Sequence, residues 1–173
     1  MLTATFDRLH ALRARHGPRE FGKICQKLLA LAFRAGGCGH VVERGVQGVD
    51  IDAAWAEEKY AAEVKTTSER RVLLGAKDVL GLANRRADGY RPLLAVLRLS
   101  TLSDWLFADA TRLAAGYYDI ELLRPRRQLA LEQRLRPHFE CMLERHFVGA
   151  LRGAQTYLDG VLQERGVPGA GRG

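Results

Sequence analysis

The sequence predicts an α/β fold in which a central mixed sheet is flanked by helices, in the order αβββαβ, with a helical extension at the C-terminal end. Three observations predict it. Apolar residues recur at helical spacing through residues 18–35, the period switches to two across residues 40–67, and a helix-period segment at 76–87 is followed by a continuous apolar run at 92–99.

Phe6, Leu9 and Leu12 mark a short first helix, which Gly17-Pro18 punctuates. Pro18 suits the first turn of a second helix, whose apolar stripe is Phe21, Ile24, Cys25, Leu28, Leu29 and Ala32, and Gly36-Gly37 stops it. His40-Val41-Val42 reads as a strand, residues 45–48 as a break, and residues 49–55 and 60–67 as two strands of an antiparallel hairpin turning through 56–59. A helix at 76–87 ends at Gly89, and residues 92–99 suit a buried strand. Ser103 is expected to cap a further helix reaching about residue 115. Beyond the basic junction Arg124-Pro125-Arg126-Arg127, residues 128–165 read as helix with an interruption at Pro137. The expected division is therefore a domain over 1–123, a helical extension over 124–165 packed on it, and a glycine-rich flexible tail over 166–173.

The chain has 173 residues, enough for one core, and 27 Lys and Arg against 20 Asp and Glu give a net charge of +7. That balance favours a polyanionic partner without choosing among DNA, RNA and anionic lipid. Three widely spaced cysteines, Cys25, Cys38 and Cys141, make no disulfide framework and fit a reducing cytoplasm. The longest strongly apolar run, residues 28–33, falls far short of the roughly 20 residues that span a bilayer, so no membrane role is expected. Cys38-Gly-His40 has no partner pair at zinc-site spacing.

Chemistry concentrates between Gly48 and Lys65. Residues two apart on a strand share a face, so Glu63 and Lys65 point one way and Val64 the other. A turn centred between Ala56 and Glu57 puts Asp50 across from Glu63, and Asp52 across from Ala61 on the same face. Asp50 fits the distance better; Asp52 replaces it if the register slips. Two converging carboxylates repel unless a proton, a neighbouring cation or a divalent metal relieves them, and their oxygens suit Mg²⁺ or Mn²⁺. A metal so held could acidify a water and neutralise charge on a phosphate while Lys65 orients that water or stabilises the transition state: phosphodiester hydrolysis. The plainer reading makes Glu63 and Lys65 a solvated charge pair on an amphipathic strand.

Asp50, then twelve residues, then Glu63-Val64-Lys65 resembles the PD-(D/E)XK nuclease signature in a restriction-endonuclease-like αβββαβ core, over about residues 19–99. The order of elements and the Glu-Val-Lys strand are most similar to archaeal-type Holliday-junction resolvases. The resemblance implies metal binding through Asp50, Glu63 and the Val64 carbonyl, and a catalytic lysine at Lys65. Glu20, early in the first core helix, matches an additional metal-binding acid, although a first-turn acid also suits the helix macrodipole. Val49 stands where the nominal motif has proline, and the minimal resolvase core lacks the extension after Arg124. The resemblance further implies a Mg²⁺-dependent endodeoxyribonuclease acting on DNA, four-way junctions in particular, as a homodimer.

Lys23, Lys27, Arg44, Arg70, Arg71 and Lys77 flank the acidic centre in sequence and are candidates for holding DNA phosphates. A restriction or repair endonuclease shares the same motif. A noncatalytic nucleic-acid-binding module and a basic scaffold are the alternatives from other classes.

Overall fold

The computed structural model describes residues 2–44, 48–99 and 104–164. Helix α1, Leu2–Ala35, contains a kink at Gly17, whose φ of 77° is left-handed and which separates the two predicted helices. Strands β1 (His40–Glu43), β2 (Ile51–Trp55) and β3 (Glu58–Thr67) follow, then β4 (Arg71–Leu74), helix α2 (Ala76–Ala87) and β5 (Arg91–Arg98). The chain continues through β6 (Trp105–Asp109), β7 (Gly116–Asp119), the short helix α3 (Ile120–Leu123), a 3-10 turn at Arg124–Arg126 and the long helix α4 (Leu129–Glu164).

The main sheet has the order β1-β2-β3-β5-β6. Among the described residues only β3 and β5 pair in parallel, joined through α2, so the sheet is mixed, as expected. β4 and β7 form a separate two-stranded ribbon. Alternation along each strand explains the layering. Ile51, Ala53, Trp55, Ala62, Leu93, Ala95, Leu97 and Phe107 face one core with Phe21, Leu28 and Phe33 of α1 and Leu135, Phe139 and Leu143 of α4. Ala61, Leu94, Val96 and Ala108 face a second core with Leu82 of α2, Val72 and Leu74 of β4 and Ile120 of α3. Because β5 is covered on both sides, its sequence is apolar without alternation. Fully buried Phe33 and Phe107, edge to face at 6.4 Å, each contribute about 1.5–3 kcal/mol by burial.

Two expectations are corrected. The helix expected to run to about residue 115 is replaced by β6 and the approach to β7. The run Trp105-Leu-Phe-Ala-Asp109 pairs antiparallel with β5, and this long-range pairing overrides a short segment's local period. Pro137 does not interrupt α4, because Leu135 and Phe139 on either side of it are buried in the core; the non-helical residue is Ala154, at φ 50°. A Cβ on Gly149 would lie 2.2 Å from the Tyr157 ring, so glycine there lets the chain past Ala154 pack back on itself. The break at residues 45–47, the Ser103 cap and the tail over 166–173 lie outside the described residues. Among the described residues no helix is long and apolar enough to cross a membrane.

Candidate active site

The hairpin register places the site. Ile51 pairs with Ala62 and Asp52 with Ala61, the alignment a turn at Ala56-Glu57 requires, and Ala56 turns with φ 43°. Carried one residue beyond the last pair, that register sets Asp50 opposite Glu63. The strand does not run straight through Asp50, however. Ile51 belongs to the core beneath α1, whereas Val49 lies in the core beneath α2, so residues two apart point to opposite sides. The backbone turns away from β3 here, and the Val64 N–H, where a straight strand would continue the pairing, donates to the Asp50 carboxylate at 2.8 Å. The turn thus converts a backbone pairing position into a carboxylate fixed beside Glu63.

Glu63 is buried, 5% exposed, on the face toward α2. Burial, then the Asp50 carboxylate, push its pKa up to about 8, against the opposing pull of Lys65. Burial also raises Asp50, opposed by the Val64 N–H and by Lys23, whose Nζ lies 3.9 Å from Asp50 Oδ1. Burial and mutual repulsion thus favour a proton or a cation at the pair, a need that Lys23 and Lys65 meet in part.

Lys65 extends from the same face. Its Nζ donates to Glu63 Oε1 at 3.0 Å and to Asp78 Oδ2 at 2.7 Å. Burial works to lower the Lys65 pKa, but the two carboxylates outweigh it and hold the ammonium charged above the ordinary lysine value. Burial likewise disfavours the Asp78 anion, yet hydrogen bonds from Lys65 and the Gly75 N–H bring its pKa below the usual aspartate value. Asp78 was not among the sequence-derived candidates. Its only signal there is an acid in the first turn of a helix, which reads as an ordinary cap.

Asp52 has a different setting. Only 1% exposed, it accepts from Arg85 Nε at 3.1 Å and Nη2 at 2.7 Å, and Arg44 Nη1 lies 2.7 Å from Oδ2. Its two oxygens are thus bound up in a buried bidentate ion pair, and Arg44 faces inward to that pair. Glu20 accepts from the Gln155 backbone N–H at 3.2 Å and side-chain amide at 2.9 Å, which ties α1 to the last part of α4. Lys27 is 3% exposed and lies between Glu43 at 3.1 Å and Asp159 at 2.6 Å, an internal ion pair rather than a surface cation. Arg70, Arg71 and Lys77 are exposed, with Arg70 paired to Asp119 at 2.7 Å. A cavity of about 440 Å³ lined by Val79, Leu82, Arg86, Pro92 and Leu113 contains none of Asp50, Glu63 and Lys65.

The fold bearing this arrangement has a known counterpart. The chain is similar to the solved structure of Hjc from Archaeoglobus fulgidus, a Holliday junction resolvase from an archaeal hyperthermophile, with a TM-score of 0.50 and 20% sequence identity over 61% of this chain and 89% of that chain. At that identity the likeness is one of fold. No protein-family model and no curated protein sequence matches the chain.

Asp50, just before β2, and Glu63 on β3 offer two neighbouring carboxylates, and burial raises the pKa of both. Among the described residues no three His, Cys, Asp or Glu side chains gather as a metal centre. A sparse, all-oxygen set suits Mg²⁺, which keeps several of its waters and binds through one or two carboxylates, better than Zn²⁺.

Proposed function

We propose that the chain is a Mg²⁺-dependent endodeoxyribonuclease of the PD-(D/E)XK type, selective for branched DNA in the manner of a Holliday-junction resolvase. The observation that carries this reading is the Val64 N–H to Asp50 hydrogen bond, which sets Asp50 beside Glu63 and Lys65 on one strand face. Asp50, Glu63 and the Val64 carbonyl would hold the metal, with Mn²⁺ as a substitute. Bound there, the ion supplies positive charge to the scissile phosphate and lowers the pKa of the attacking water. Lys65 remains charged between its two carboxylates and has a third N–H to give to a phosphate oxygen. Arg71 and Lys77, both exposed within thirteen residues of Lys65, are suited to phosphates flanking the cut.

The fold likeness to a junction resolvase supports the choice of substrate. Paired cuts in a near-two-fold junction call for two active sites, so the working form is a homodimer. The test compares cleavage of a labelled four-way junction and a matched linear duplex in Mg²⁺, in EDTA, and in Mg²⁺ with Glu63→Ala protein. Symmetric junction cuts abolished by EDTA and by Glu63→Ala support the reading. Equal cutting of linear duplex favours a restriction or repair enzyme, and tight binding without cleavage favours a noncatalytic module.

A further inference from the structure

Lys65 is held from two elements at once. Glu63 lies two residues away on β3, but Asp78 comes from the first turn of α2, across the connection formed by β4. One oxygen of Asp78, Oδ2, accepts both the Lys65 ammonium at 2.7 Å and the Gly75 backbone N–H at 2.8 Å. The second bond fixes the carboxylate relative to the start of α2, and α2 is anchored to the sheet by buried Leu82. Without Asp78 the Lys65 ammonium would keep its hydrogen bond to Glu63, and Glu63 is a proposed metal ligand whose charge is needed elsewhere. A flexible ammonium with one partner samples several rotamers, whereas two fixed acceptors on different elements leave one position.

We infer that Asp78 is a positioning residue for the reaction: it holds the Lys65 ammonium in place from α2, so that the lysine meets the phosphate without moving Glu63. This rests on the nuclease reading above. A helix cap alone would need only the Gly75 N–H; the bond to Lys65 is what gives Asp78 a part in the chemistry.

The test uses full-length protein and three variants, Asp78→Asn, Asp78→Glu and Lys65→Met. Asn keeps an oxygen for the Gly75 N–H but loses the negative charge that holds the ammonium, and should melt near the wild type while cutting a four-way junction on the order of 10- to 100-fold more slowly in kcat, with KM unchanged. Glu keeps the charge, shifts it by one methylene, and should also lower kcat. In the Lys65→Met background, adding Asp78→Asn should cost nothing further, since the role runs through the lysine. NMR of the side-chain ammonium should show Lys65 rigid in the wild type and mobile in Asp78→Asn. Wild-type kcat in Asp78→Asn, a Lys65 ammonium equally rigid in both, or additive losses in the double variant would overturn the inference while leaving the nuclease reading intact. Wild-type protein that leaves all DNA uncut would instead overturn that reading, and this role with it.

Discussion

Asp50 accepts the backbone N–H of Val64 at 2.8 Å, which couples the end of β2 to the strand position between Glu63 and Lys65. The bond also satisfies an amide that the departing backbone of β2 no longer reaches.

Asp50→Asn and Asp50→Ala should therefore separate structure from chemistry. Asn retains an oxygen for Val64 and is expected to melt close to the wild type yet lose Mg²⁺-dependent cleavage. Ala leaves the part-buried amide without its acceptor and should lose a further ~1–3 kcal/mol of stability. Thermal melts beside cleavage rates check both.

Glu63 gives a pH dependence with a definite sign. Its pKa is about 8 in the folded protein against an ordinary value of 4.5, so between those values the folded state holds more protons than the unfolded state. The stability this group contributes is present in full below pH 4.5 and is lost as pH rises to about 8. Glu63→Gln removes the loss: in EDTA it should melt above the wild type at pH 8.5, by several degrees, and match it near pH 4.5. Mg²⁺ competes with the same proton, so its apparent affinity should tighten as pH approaches 8. Melts across pH and Mg²⁺ titrations at pH 6.5 and 8 measure these effects.

Asp52→Ala should be a stability variant. Removing the buried anion takes the shared hydrogen-bond acceptor from Arg85 and Arg44, whose side chains are 24% and 33% exposed and keep access to water, a loss of about 1–3 kcal/mol. At a temperature where the variant remains folded, the cleavage rate should stay within a few-fold of wild type; a 100-fold loss of kcat in folded Asp52→Ala would make it a site residue instead.

The basic residues should divide in the same way. Arg71→Ala and Lys77→Ala, both exposed, should weaken DNA binding and each lower the slope of log affinity against log salt by about 1. Lys27→Ala should leave that slope unchanged and lower the melting temperature, because it abandons Glu43 and Asp159. Binding measured from 50 to 200 mM salt separates the two classes.

Much of this was legible in the sequence because it depends on local patterns. The periodicity of α1, the span of α2 and the Ala56-Glu57 turn set the register that brings Asp50 toward Glu63. What was not legible depends on pairing between distant segments. β4 and β7 are four-residue strands that exist only as each other's partner, and β6 is a strand because β5 lies beside it. Asp78 looks like a cap until Lys65 is seen across from it, and Lys27 looks like a surface cation until Asp159 closes over it. Pro137 carried a false break signal, whereas Gly149 and Gly153, packed against Tyr157, were the signs of the real one near Ala154.

The central claim is that Asp50 and Glu63 together hold the metal that cutting requires. Its most direct test is the single-turnover rate of junction cleavage against Mg²⁺ concentration for wild type, Asp50→Asn and Glu63→Gln. A saturable Mg²⁺ requirement is expected in the wild type, with a loss of at least about 100-fold in each variant and folded structure retained. Cleavage that persists in EDTA, or a Glu63→Gln protein that cuts at the wild-type rate, would contradict it.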